Sequence, residues 1–475
     1  MPKTQDLTKG NILGNIFKMA MPVIATSLIQ MTYSLTDMIW IGKISSEAVA
    51  AIGTAGFLIW FGFSFILITK VGAEIGVSQS LGKGDLNLAK LFSENSIQLS
   101  LFMSIIFGVV MFLFRGQFVQ FYGFKQQPVI NMSISYLGII SFSSVVMFLN
   151  PVFSGIYNGS GNSRTPFYIN SIGLALNIIF DPFLIFGIGF FPALGIVGAA
   201  WSTVLSQVIV TVIFLFYLKH KKQPLPGLNF LKLPSWNYII KIIRFGLPIT
   251  LQSLSFSVFA IFLARIISQW GALPIAAQKI GIQVEGISYM TASGFSTALC
   301  AFIGQNFGAA KWNRIFKGYY LTMGLISILG LVTSAILWFW PEFLVKLFVH
   351  DAETVSYGVS YLKILALSQL LMCYEIISAG AFNGLGRTIP PSIIGIIFTG
   401  LRIPLAVVLS EFLLLGLDGV WWSITITSIV KGTILSIWFG ILLELHPQLK
   451  GKVKTSVMVF RWNWKYLKEK ILLAS

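Results

Sequence analysis

Pro22-Val23-Ile24-Ala25-Thr26-Ser27-Leu28 is answered 226 positions later by Pro248-Ile249-Thr250-Leu251-Gln252-Ser253-Leu254, with Pro, Ser and Leu in register. Ala50, Ala51, Gln79 and Gly82 recur at the same offset as Ala276, Ala277, Gln305 and Gly308, so two predicted helices align without a gap. Further along, Asn158-Gly159-Ser160-Gly161 returns as Asn383-Gly384-Leu385-Gly386 (383 − 158 = 225). Gly195, Gly198, Trp201 and Ser202 then return as Gly416, Gly419, Trp422 and Ser423 (416 − 195 = 221). An offset that shrinks in small steps is the trace of a duplicated chain with short loop deletions. In an apolar chain, two like halves predict two lobes around a central cavity, as in many secondary transporters.

The 475 residues are 56% hydrophobic and 10% charged, and the mean hydropathy is +0.82. A soluble globular chain carries roughly 25% charged residues, so this composition excludes one. Apolar stretches of about 20 residues recur along the chain, each long enough to cross the hydrocarbon core as a helix. They run without period-2 alternation, which argues against a β-barrel. The first, from Ile12 to Ile41, is too long for a signal-peptide core and carries repeat landmarks. The sequence therefore predicts an all-α polytopic membrane protein with twelve spans in two pseudo-symmetric six-helix lobes. The spans lie near 14–40, 51–78, 93–114, 129–150, 167–188 and 194–218, then 239–267, 274–304, 316–340, 358–379, 391–414 and 417–443. The N-lobe is read as 1–218, a polar linker as 219–238, the C-lobe as 239–443 and a basic tail as 444–475.

The net charge of +17 sorts by side. Lys9, Lys18, Lys83, Lys90, Arg164, Lys221, Lys311, Arg314, Lys317, Arg387 and the tail fall on one side, against Lys43, Arg115, Lys125 and Lys346 on the other. By the positive-inside rule both termini are expected in the cytoplasm and the chain in the cell membrane. The tail, with Trp462, Trp464 and Tyr466, is expected to rest on anionic lipid rather than on nucleic acid.

A charge inside the bilayer is costly, which makes it a functional candidate. Asp37 shares a helical face with Gln30 and Tyr33 (i, i+3, i+7), fifteen residues after Pro22, where the missing N–H permits a bend. Asn177 and Asp181 also share a face, with Pro182 next and Thr203 as a neighbouring hydroxyl. Carboxylate plus amide oxygen suits a proton or a hard cation such as Na⁺. The second half breaks this pattern: Phe180-Asp181-Pro182 becomes Arg402-Ile403-Pro404, so the acidic pair belongs to the N-lobe. Lys70 and Glu74 (i, i+4) read as an internal ion pair. Glu285 and Glu375 are the C-lobe carboxylates that either meet a cationic substrate or bond a neighbouring helix. Met31, Tyr33, Tyr136, Phe153, Tyr289 and Met290 fall where aromatic and thioether faces can line a cavity for lipophilic cations.

Cys300 and Cys373 have no CxxC spacing, and His220, His350 and His446 sit near loops, so no disulfide framework or resident metal site is expected. The chain has no GxxxxGK[ST], HExxH or GxSxG motif, which speaks against direct ATP use and against an enzyme.

Taken together, Pro22 with Asp37, Val77-Ser78-Gln79 to Gly82, the two Asn-Gly-Xaa-Gly turns, Asp181-Pro182 and Arg402-Ile403-Pro404 resemble the multidrug and toxic compound extrusion (MATE) transporters over residues 12–443. The resemblance implies export of organic cations or drugs in exchange for Na⁺ or H⁺. It places the coupling ion in the N-lobe, on Asp37, Asn177, Asp181 and Thr203, with Gln30 and Tyr136 nearby, and a bend at Pro22. Another branch uses a carboxylate in the seventh helix, where this chain has Phe256, so a C-lobe cation site of that kind is not expected. The sequence reading is thus an antiporter of small organic cations, working as a monomer with a bound Na⁺ or H⁺ and no other cofactor. The substrate cavity is expected at Gln30, Tyr33, Tyr136, Met31, Glu285 and Met290, and the hinges at Pro22 and Pro182. Its rival is a flippase for a lipid-linked oligosaccharide, which calls for more cavity arginines than Arg265 and Arg402.

Overall fold

The computed structural model describes residues 5–121, 126–189, 191–219, 227–228 and 232–449, with backbone alone at Ser34, Leu35, Ser46, Thr54, Phe57, Leu58, Trp60, Phe63 and Lys219. Half of the predicted linker, His220 included, lies outside the described residues, as do Lys125 and the tail beyond Leu449. The first half comprises α1 (Ile12–Gly42), α2 (Ser46–Gly82), α3 (Leu86–Phe121), α4 (Gln127–Gly159), α5 (Arg164–Phe186) and α6 (Ile196–Lys219). The second comprises α7 (Trp236–Ile267), α8 (Ala272–Gly308), α9 (Trp312–Phe339), short α10 (Pro341–Lys346), α11 (Ala352–Ala366), α12 (Gln369–Gly384), α13 (Ile389–Val407) and α14 (Gly416–Glu444). Side-chain caps start several of them. Asn11 accepts from the Gly14 N–H at α1, Ser45 from Ala48 at α2, and Asp351 from Thr354 at α11.

Among the described residues, ten helices are long and apolar enough to cross a bilayer, or eleven if α11 and α12 form one bent span. The expected twelfth is α2, 37 residues long, whose apolar stretch includes five of the residues described by backbone alone. The tenth span, predicted as continuous, is broken by 56° between Ala366 and Gln369. No proline is involved; hydroxyls take up the carbonyls at the break. Thr425 donates to Ile364 O and Ser368 to Leu365 O, both at 3.0 Å, and Ser334 donates to Ala366 O.

The halves are interlocked rather than side by side. Ile16, Met19, Ala20 and Ile24 of α1 pack into the second half's core with Phe302, Phe382 and Phe439. Ile41, at the far end of α1, instead packs with Ile185 and Ala199 of α5 and α6. Reciprocally, Ile239 and Ile242 of α7 enter the first half's core with Ala73, Val77 and Tyr157, whereas Leu263 and Ile267 pack with Trp421. Pro248 lies between the two packing sites of α7, Pro22 lies within the first packing site of α1, between Ala20 and Ile24, and both helices run through them.

At the end of the bundle that carries Lys83, Arg164, Lys311 and Arg387, here the basic end, the halves are closed on each other. A Cβ at Gly82 would overlap the Gln305 carbonyl, and one at Gly308 the Gln79 carbonyl, so only glycine allows α2 and α8 to meet. Gln79 Nε2 donates to Gly384 O at 3.0 Å and Gln305 Nε2 to Gly159 O at 3.1 Å. The sequence repeat at 226 and 225 thereby reappears as a reciprocal exchange of hydrogen bonds. Residues 7–10 lie across the same closure, held by Gln305, Asn306, Lys311 and Arg314.

Candidate functional site

Asp181 lies on α5 and is fully buried. Asn177, one turn earlier, uses both amide protons: Nδ2 donates to Asp181 Oδ1 at 3.0 Å and to Ser202 Oγ of α6 at 2.6 Å. Ser202 returns a bond to the Asn177 carbonyl at 3.2 Å. Asp181 Oδ2 has no donor among the described residues. Across from it, on α1, Asp37 is near enough to interact electrostatically with Asp181, Tyr33 and Tyr136. Two carboxylates thus face one another with one amide, one phenol from each of α1 and α4 and, among the described residues, no basic side chain paired to either. In a low-dielectric interior such an arrangement carries negative charge that only an added cation can offset. Among the described residues no cluster of three or more His, Cys, Asp or Glu is found, so this is a two-carboxylate site.

The structure places Asp37, Asn177 and Asp181 of the expected ion site near one another, with Tyr33 and Tyr136 of the expected substrate cavity beside them. Thr203 donates to Ala199 O of its own helix at 3.1 Å and lies against the Tyr33 hydroxyl. The hydroxyl that meets Asn177 is its neighbour Ser202, because i and i+1 on a helix point in different directions. Gln30 is exposed and Met31 half-buried on α1. Asp37 and Asp181 each lie five residues from the end of their helix, about 8 Å from the face opposite the basic end. Lys70 and Glu74 correct an expectation, since no ion pair forms between them. Glu74 is buried, its Oε1 has no hydrogen-bond partner among the described residues, and Lys70 and Cys300 lie within electrostatic reach of it.

The sequence profile of the MatE family matches residues 22–183 and 248–408, one match in each half. The chain belongs to the MatE family. It is therefore a membrane transporter and not an enzyme. Among similar proteins are the probable multidrug resistance protein NorM of Thermotoga maritima, 28% identical over 89% of this chain and 91% of the relative, and the FAD transporter of Shewanella oneidensis, 24% identical over 88% and 92%. The multidrug export protein MepA of Staphylococcus aureus is 24% identical over 88% and 91%. A solved structure described as the outward-facing conformation of a multidrug resistance MATE family transporter superposes with a TM-score of 0.86 and 22% identity, covering 93% of this chain and 99% of that one.

This MatE chain also holds a polar cluster in its second half. Glu285 of α8 accepts from Gln369 Nε2 at 3.0 Å, Glu375 of α12 is ion-paired with Lys431 of α14 at 2.9 Å, and Arg402 Nε of α13 donates to Thr427 Oγ1 at 3.2 Å. Glu285 and Met290 share no bond with the Asp37–Asp181 group among the described residues; both lie on α8, in the other half. Lys431 and Gln369 escaped the sequence reading, although a lone lysine midway along the apolar fourteenth helix was a visible signal.

Proposed function

We propose that the chain is an antiporter that exports small organic molecules, lipophilic cations foremost, in exchange for Na⁺ or H⁺. The observation that carries this reading is the Asp37–Asp181 pair, two carboxylates in an apolar bundle that meet neutral amide and hydroxyl groups and, among the described residues, no ion-paired base. In the arrangement seen, the Asn177 N–H stands where a coupling cation would sit. Rotating the Asn177 amide would present its oxygen instead, giving a site of carboxylate and amide oxygens suited to Na⁺, while Asp181 Oδ2 offers a seat for a proton. The names of the relatives, which include multidrug export and FAD transport, support small organic cargo.

The basic end faces the cytoplasm by the positive-inside rule, in the cell membrane, and its closure corresponds to a state open to the outside. Transport follows by alternating access: the ion and the cargo each favour one conformation through differential affinity. Pro22 and Pro248 are read as the points at which α1 and α7 bend, with Pro182 shaping the ion site. The chain works as a monomer, and its linker and tail lie on the cytoplasmic leaflet. Expression in a drug-hypersensitive bacterium tests the reading: the native chain raises tolerance to ethidium and Asp181→Asn does not. Equal tolerance with both would remove the carboxylate pair from the mechanism.

A further inference from the structure

The C-terminal cluster holds two cations, Arg402 and Lys431, and two carboxylates, Glu285 and Glu375, and the guanidinium keeps unspent donors. Lys431 is taken up by Glu375, with side-chain exposures of 8% and 14%. Glu285 Oε1 is taken up by Gln369, which is fully buried and whose own Oε1 has no donor. Arg402 spends only Nε, on Thr427. Its two terminal nitrogens make no hydrogen bond and no ion pair among the described residues, although Glu375, Glu285 and Tyr361 lie within electrostatic reach. Tyr289 of α8 lies within electrostatic reach of Glu375.

Packing does not require these charges. The repeat places Phe180 opposite Arg402 (402 − 180 = 222, the offset of Pro182 and Pro404), Val210 opposite Lys431 (431 − 210 = 221) and Asn150 opposite Glu375 (375 − 150 = 225). The first half fills the same positions with apolar or neutral side chains, Asn150 bonding Gln207 at 2.8 Å where the second half has its ion pair. The cluster is an addition to one half, and buried charge added without a packing need marks a binding function.

We infer that Arg402, held by Thr427 and flanked by the Glu375–Lys431 pair, is a second ligand site that receives an oxyanion, a carboxylate or phosphate, carried by the exported molecule. A guanidinium fork with free terminal nitrogens matches a planar carboxylate in two parallel bonds. Glu285 and Glu375 lie within electrostatic reach of Arg402, yet neither bonds its terminal nitrogens among the described residues. The cargo this selects is amphoteric: an organic cation that also bears an acidic group. The inference rests on the export reading and names the cargo's second feature.

A matched dye pair tests it. Rhodamine 110 carries a free carboxylate and rhodamine 123 is its methyl ester, so the two differ at the group in question. Binding to purified full-length protein in detergent is followed by fluorescence anisotropy for the native chain, Arg402→Gln and Arg402→Lys. The expected result is that Arg402→Gln weakens rhodamine 110 by about tenfold or more and leaves rhodamine 123 unchanged. Arg402→Lys, which keeps the charge and loses the fork, falls between. Retained rhodamine 123 binding reports that the variant is folded; if Arg402→Gln does not fold, Arg402→Lys carries the comparison. Equal weakening of both dyes, or of neither, overturns the assignment. Native protein that binds neither dye overturns the export reading itself, and this site with it.

Discussion

Gly308→Ala should open the basic end. The added methyl would overlap the Gln79 carbonyl of α2 and come within 2.9 Å of the Lys83 nitrogen, both backbone atoms that cannot rotate away. A carbon rests against a carbonyl oxygen at roughly 3.3 Å, so α2 and α8 must part by about 1 Å where Gln79 and Gln305 exchange bonds between the halves. Overpacking of this kind costs about 1–3 kcal/mol. It is felt only in the conformation with the basic end shut. The helix-propensity gain of alanine over glycine, about 1 kcal/mol, is present in both conformations and cancels. The balance therefore moves toward the open basic end by about 5- to 150-fold. Spin labels at Asn87→Cys and Arg387→Cys, exposed on either side of the closure, report the distance between halves by pulsed electron paramagnetic resonance. Cys300 and Cys373 are buried and leave the labelling specific. Gly324→Ala, which meets nothing within 4 Å, is the control. Gly308→Ala should add a longer distance component and Gly324→Ala should not. Identical distributions in a folded Gly308→Ala protein would refute the view that the glycine contacts hold this end shut.

Lys431→Met leaves Glu375 buried without its partner and is expected to destabilise the protein by about 3–5 kcal/mol. Adding Glu375→Gln should restore most of the loss in thermal unfolding, and a double variant no better than the single would remove the pair from the account. Ser202→Ala takes away the acceptor of one Asn177 amide proton, a loss of about 1 kcal/mol, and should weaken ion dependence of export more than export at saturating ion; the reverse pattern counts against a role in the ion site. Asp351 caps α11 by accepting from the Thr354 N–H and hydroxyl, which holds its carboxyl below the ordinary 3.8. A depressed folded value means that the cap's contribution is present above 3.8 and is lost as pH falls through the lowered value. Asp351→Asn should flatten the acid limb of a stability–pH profile, and an unchanged limb would contradict the cap.

Much of this architecture was written in the repeat. The offsets of 226 and 225 that link Gln79 to Gln305 and Gly159 to Gly384 are those of the closed basic end. Asn177 and Asp181 were legible because i, i+4 spacing fixes a shared helical face. What escaped depended on neighbours distant in sequence. The break after Ala366 is satisfied by Ser334 and Thr425, contributed by α9 and α14. The i, i+4 spacing that joined Asn177 and Asp181 left Lys70 and Glu74 within electrostatic reach of each other but not in an ion pair. The exchange of α1 and α7 between halves left no mark in composition, since both ends of each helix are equally apolar.

The central claim is that the Asp37–Asp181 pair couples an ion gradient to export. Its most direct test is dye movement in reconstituted vesicles under a Na⁺ gradient alone and then a pH gradient alone, with native protein and Asp37→Asn. The account predicts transport of a lipophilic cationic dye driven by one of the two gradients and abolished in the folded variant. Gradient-driven transport that survives Asp37→Asn would contradict it, as would folded native protein that moves no dye under either gradient.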